Sequence, residues 1–139
     1  MSERVERFEI EGTPTIQLRL GAGSVRIVEG AAGEVVVRLE GRGSLIERFR
    51  VEQSSDLIVV EPEAGRRLTG GSVRVTIETG ASPEASLRVG SSDITAAVDL
   101  ASLDVAFASG DVRLHDIAGD LTAKGASGDL VAGSVGGQV

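Results

Sequence analysis

Three aspartates could do chemistry together. Asp93, Asp111 and Asp129 are each separated by 18 residues, and Asp120 falls halfway between the last two. If one structural repeat is 18 residues long, the three carboxylates stack along one edge about 5 Å apart. Such a column repels itself unless backbone N–H groups or a cation compensate. Calcium-binding β-rolls also use nine-residue units, but theirs carry three glycines per turn and place the aspartate further on. Here a single Gly directly precedes Asp111, Asp120 and Asp129. The carbonyls that complete a calcium shell need the fuller glycine loop. The aspartates therefore read first as turn residues that bond their own backbone, and second as a cation edge.

The remaining reactive side chains are few. His115 is the only histidine, followed by Asp116, and no cysteine or second histidine is present to join it. Neighbours in a strand point to opposite faces, so His115 reads as an exposed turn residue rather than half of an acid–base pair. Ser92, Ser109 and Ser127 recur within the repeat. None lies in a nucleophile elbow, and repetition points to structure. Gly21-Ala22-Gly23-Ser24 and Thr69-Gly70-Gly71-Ser72 are glycine-rich, but each joins strand to strand, whereas a phosphate loop leads into a helix. Arg66 and Arg67 stand on a loop where they could meet an acidic partner or remain solvated.

These residues must be positioned by short strands. The phrase Ser-Gly-Asp-apolar recurs at Ser109-Gly110-Asp111-Val112 and Ser127-Gly128-Asp129-Leu130, with shorter echoes at Ser92-Asp93-Ile94 and Gly119-Asp120-Leu121. The underlying unit is nine residues, the mark of a stacked repeat. Two units per rung predict two strands and two turns. The expected inward set is Ile94, Ala96, Val98, Leu103, Val105, Phe107, Val112, Leu114, Ile117, Leu121, Ala123, Leu130, Ala132 and Val135. Before the repeat, alternation predicts strands at Ile16–Leu20, Val25–Ile27, Val35–Leu39, Phe49–Val51, Leu57–Val60 and Val73–Ile77. Gly21 to Ser24 suggests a hairpin turn between the first two. Pro62 to Gly71 reads as a loop, and no segment sustains a 3.6-residue apolar period.

Composition agrees. The chain has 139 residues with 41% hydrophobic content, enough for one domain with a real core. Aromatics are only Phe8, Phe49 and Phe107, so the core must be aliphatic. Residues 1–79 carry 13 acids and 11 bases, and residues 80–139 carry 8 acids and 3 bases, which together give the net charge of −7. Glu dominates the first part and Asp the second, and the switch to Asp follows the turns of the repeat. An acidic chain without Tyr or Trp lacks the basic stripe and stacking rings that nucleic acid requires. No run is long enough to span a membrane, and the charged N-terminus has no signal-peptide core, so the chain as written reads as cytoplasmic. No small-molecule substrate and no cofactor is indicated.

The phrases Ala108-Ser109-Gly110-Asp111-Val112-Arg113-Leu114 and Ala126-Ser127-Gly128-Asp129-Leu130 resemble the bacterial putative-adhesin family of β-strand-repeat proteins. This is a toast-rack-like domain of unknown function. Gly21 to Ile27 is similar to the family's N-terminal strand phrase, and the resemblance runs from Thr13 to Val139. It implies an all-β, right-handed, β-helix-like fold with no established catalysis, and it supplies no catalytic or binding residues. Family members occur at the cell envelope and also without a signal.

The chain is thus expected to form a single β-solenoid over 1–139. Irregular strands and hairpins occupy 1–79 and regular repeats 80–139. The uncapped end at Gly136-Gly137-Gln138-Val139 suggests a continuing parent chain or an edge that pairs with another molecule. The favoured function is a non-catalytic scaffold or adhesin-like module. It would act through edge-strand or sheet-face contacts with a protein partner or a second copy, through Val131, Val135 and Val139 or through Arg66 and Arg67. A calcium module on Asp93, Asp111 and Asp129 is the second reading. A carbohydrate-active enzyme on a β-helix is the third.

Overall fold

Alternation builds the longest strand first. In β2 (Thr15–Glu29), Ile16, Leu18, Leu20, Val25 and Ile27 are buried, while Gln17, Arg19 and Arg26 face solvent. β7 (Glu84–Ala96) repeats the pattern and lies parallel to β2, from Thr15 opposite Glu84 to Ile27 opposite Ala96. The computed structural model describes residues 2–63 and 72–137. The other strands are β1 (Ser2–Glu9), β3 (Glu34–Gly41), β4 (Phe49–Ser54), β5 (Leu57–Pro62), β6 (Val73–Thr79), β8 (Ser102–Ser109), β9 (Val112–Arg113), β10 (Leu121–Gly125) and β11 (Leu130–Val131). A single helical turn, α1 (Gly43–Ile46), buries Leu45 and Ile46. The molecule is all-β, with its 11 strands in one mixed sheet that does not close.

The stretch Gly21 to Ser24 is a corner, not a hairpin. Both halves of β2 pair in the same direction with the same strand, β7, so the two strands bend together. Positive φ at Gly23 (135°) makes the bend. A hairpin would set the two halves antiparallel to each other.

Beyond β7 the chain stacks on itself at an offset of 18 residues. Ser102 lies opposite Glu84, and Leu121 opposite Leu103. Val112 lies opposite Ile94, and Leu130 opposite Val112. A third ladder, which the two-strand rung did not anticipate, consists of isolated parallel bridges from Leu100 to Ile117 and from Ile117 to Val135. Successive repeats are therefore joined by parallel pairings at three places.

The core is the aliphatic set that alternation predicts, with two differences. Ile94, Leu103, Val105, Val112, Ile117 and Leu121 are buried, and Val98, Phe107, Leu114, Leu130, Ala132 and Val135 are half-buried against them. Ala123 was expected inside but is exposed, because in β10 only Leu121 reaches the core. Leu100 was not expected inside but is 1% exposed, because it forms the third ladder.

Residues 30–83 hold an insertion that covers the far side of β2. β6 and β5 each run parallel to one half of β2. Antiparallel strands finish the stack there: β3 and β1 beyond β6, and β4 beyond β5. The edge strand β1 alternates Glu and Arg. It pairs Arg7 with Glu34 at 2.8 Å and Glu3 with Arg38 at 3.4 Å. The Arg4 guanidinium also donates to the carbonyls of Phe49 (2.7 Å) and Ile46 (3.1 Å), tying β1 to the second flank. Charges along an edge strand discourage pairing with another chain.

Candidate functional site

The corner after the first segment of each rung carries the Ser-Gly-Asp phrase, and its atoms explain the phrase. Gly110 and Gly128 have φ of 122° and 114°. Ser92 stands opposite Gly23, so in the first repeat a serine occupies the column that glycine fills in the later ones. Its hydroxyl is buried and has no hydrogen-bond partner among the described residues. Ser109, by contrast, lies opposite Ser91 and donates to its hydroxyl at 3.2 Å. Ser127 donates to the Ala108 carbonyl at 3.5 Å. None of the three serines is near His115 in these bonds.

The Asp column is real, but its bonds differ from the local ones expected. The Asp93 Oδ1 accepts the Asp111 backbone N–H at 2.9 Å, and the Asp111 Oδ1 accepts that of Asp129 at 3.4 Å. The Asp93 and Asp111 carboxylates thus reach the next rung rather than their own backbone. These N–H groups offset part of the repulsion within the column.

A second acidic corner was not anticipated. Asp116 repeats the device, its Oδ1 accepting the Ser134 N–H at 2.8 Å. That backbone bond, more than any other influence, holds the Asp116 carboxyl below the usual carboxylate range. His115 does not pair with its neighbour first. Its Nδ1 lies 2.6 Å from Oδ1 of Asp99, one rung earlier. Hydrogen bonding to Asp99, then its charge, raises the imidazole pKa above the ordinary value. A raised pKa means that the pair stabilises the fold fully below about pH 6.5 and loses that contribution as pH rises through the folded value. In metal-chelated solution, the single histidine resonance should titrate with a midpoint above 6.5, and Asp99→Asn should lower it. An unshifted midpoint in the parent chain would show that the pair does not form. The pairing was not readable from sequence because Asp99 and His115 are brought together by stacking, not by proximity in the chain.

The expected contact residues fall in three places. Val131 is 62% exposed on β11, and Val135 is half-buried beneath Ile117. Val139, Arg66 and Arg67 lie outside the described residues. β10 and β11 each pair on one side only among the described residues, with β8 and β9 respectively. On the sheet face, a hollow of about 640 Å³ has Leu20 and Val89 in its wall and Arg19, Arg88 and Glu61 at its edges. Arg88 is held by Asp104 at 3.0 Å.

The all-β architecture of stacked parallel strands is shared with several solved structures. A putative cell adhesion protein from Clostridium sporogenes superposes with a TM-score of 0.60 at 10% identity, covering 99% of this chain and 100% of its own. A putative adhesin from Parabacteroides distasonis gives 0.55 at 8% identity, over 96% of this chain and 66% of its own. One from Parabacteroides merdae gives 0.50 at 7% identity, over 99% and 96%. The resemblance to the putative-adhesin family therefore holds at the level of fold. Neither a family model nor a curated protein matches the sequence. No helix among the described residues is long and apolar enough to cross a membrane.

Proposed function

We propose that this chain is a non-catalytic interaction module, a single right-handed solenoid-like domain that binds through its β10–β11 edge. The difference between its two flanks is the observation that carries this reading. One flank ends in β1 and β4, whose charges and ion pairs, Arg7–Glu34 and Glu3–Arg38 on β1 and Arg50–Glu61 on β4, discourage further pairing. The other presents β10 and β11, which pair on one side only among the described residues, and the exposed Val131. Backbone groups on a one-sided strand provide affinity by strand addition, and alternate side chains provide selectivity. Two parallel ladders offset by 18 residues, and a third offset by 17 from Leu100 to Ile117 and by 18 from Ile117 to Val135, support the solenoid reading, and the adhesin-like fold supports a binding role.

The partner that satisfies this edge is a second copy of the chain. Light scattering on a sizing column should give a molar mass that rises toward the dimer with concentration. Val131→Lys should hold the protein at the monomer mass, because a charge on that edge opposes close strand pairing. A monomer at every concentration would overturn self-pairing. A dimer unaffected by Val131→Lys would move the interface to the sheet face.

A further inference from the structure

We infer that Asp99, His115 and Asp116 form a binding site for a borderline divalent transition metal, with zinc as its representative. One potential ligand atom from each of the three lies within 4.8 Å of the others. Donor atoms around zinc at about 2.0–2.2 Å must themselves sit roughly 3–4 Å apart, so small rotations of exposed side chains close the set. One imidazole nitrogen with carboxylate oxygens suits zinc, cobalt or nickel, whereas calcium and magnesium take oxygen alone.

The backbone beneath the cluster is fixed, so the donors are arranged before any ion arrives. The Leu100 N–H donates to the Asp116 carbonyl at 2.9 Å, and the Ala118 N–H to the Leu100 carbonyl at 2.9 Å. The Gly133 N–H donates to the His115 carbonyl at 3.0 Å. Because Oδ1 of Asp116 is engaged by the Ser134 N–H, the carboxylate orientation is set while its second oxygen can face a ligand. Leu100 pairs with Ile117, which places the preceding residues, Asp99 and Asp116, in one column a single strand spacing apart. Two carboxylates so placed repel, and a cation between them relieves it.

A second observation lies in front of the cluster. A hollow of about 270 Å³ opens beside it, and Glu29 lines that hollow together with Asp99 and His115. Glu29 thus adds a third carboxylate bordering the cluster, beside the imidazole and the two aspartates. The Asp93–Asp111–Asp129 column offers carboxylates only and no imidazole. The corner at His115 is therefore the better site for a metal of this class.

The test uses the full chain, stripped with chelator and titrated with zinc chloride by calorimetry, with the histidine resonance followed in parallel. One zinc per chain is expected, with a shift of the His115 signal at saturation and a higher melting temperature. Calcium at the same concentration should do neither. His115→Gln, at an exposed position, should keep the fold and weaken zinc binding at least tenfold, and Asp99→Asn should weaken it by a similar factor. Absence of zinc binding by the parent chain would overturn the assignment. So would undiminished binding by His115→Gln, which would place the ion elsewhere.

Discussion

Gly110→Ala is expected to destabilise the protein by about 3–5 kcal/mol, the combined cost of a strained backbone and an overfilled site. The residue sits at φ 122°, a conformation that side chains rarely adopt. A Cβ there would also land on the Ser92 carbonyl oxygen of the preceding rung. Neither obstacle can be relieved alone. Rotating φ would break the pairing of Val112 with Ile94 just beyond the corner, and moving Ser92 would disturb an already buried column. Gly21→Ala is the matched control. It lies at the corner of β2, has no positive φ, and a Cβ there would meet nothing within 4 Å. That change should be neutral or stabilising by about 0.4–1 kcal/mol, through the unfolded state. Urea denaturation of both variants decides the matter. If Gly110→Ala lies within about 1 kcal/mol of the parent, the corner is not the constraint described, because strain of this kind should exceed that value.

The recurrence of Gly and Asp made this corner legible. Spacing of 18 residues between Asp93, Asp111 and Asp129 is the stacking offset itself, and their carboxylates do bridge successive rungs. Halving the period was the misleading step. Gly119-Asp120 resembles Gly110-Asp111 in sequence, but Gly119 lacks positive φ, so the two corners differ in structure. The third ladder was only partly legible: Ile117 and Val135 belong to the expected inward set, but Leu100 does not, and nothing marked the three as a strand of their own. It consists of single apolar residues, Leu100, Ile117 and Val135, each followed by Ala or Gly. One residue cannot alternate, and periodicity is the only handle a strand offers. The same blindness hid the Asp99–His115 pair, whose members belong to that ladder's flanks on different rungs. Gly21 to Ser24 misled for another reason: a glycine-rich break between two apolar runs looks alike in a hairpin and in a bent strand, and only the partner strand distinguishes them.

The third ladder yields the second large effect. Leu100→Ala should cost about 2–5 kcal/mol, the usual range for a buried leucine whose cavity cannot collapse. Collapse is hindered here because the backbone on both sides is held across rungs. The Ala101 N–H donates to the Pro83 carbonyl at 2.8 Å, and the Leu100 carbonyl accepts the Ala118 N–H at 2.9 Å. Ile117, the partner of Leu100, is itself 1% exposed, so the lost contacts have no solvent to replace them. Ala123→Ser supplies the contrast. Both positions are apolar in sequence, yet Ala123 is exposed on β10, and its replacement should stay within about 0.5 kcal/mol of the parent. A rung of two strands predicts the reverse order, with Ala123 inside and Leu100 outside the inward set. Denaturation midpoints for the two variants therefore separate a two-strand rung from a three-ladder rung. If Leu100→Ala proves as mild as Ala123→Ser, the isolated bridges at Leu100, Ile117 and Val135 do not bear on stability, and the corner that carries Asp99 and His115 is not held as rigidly as a preformed metal site requires.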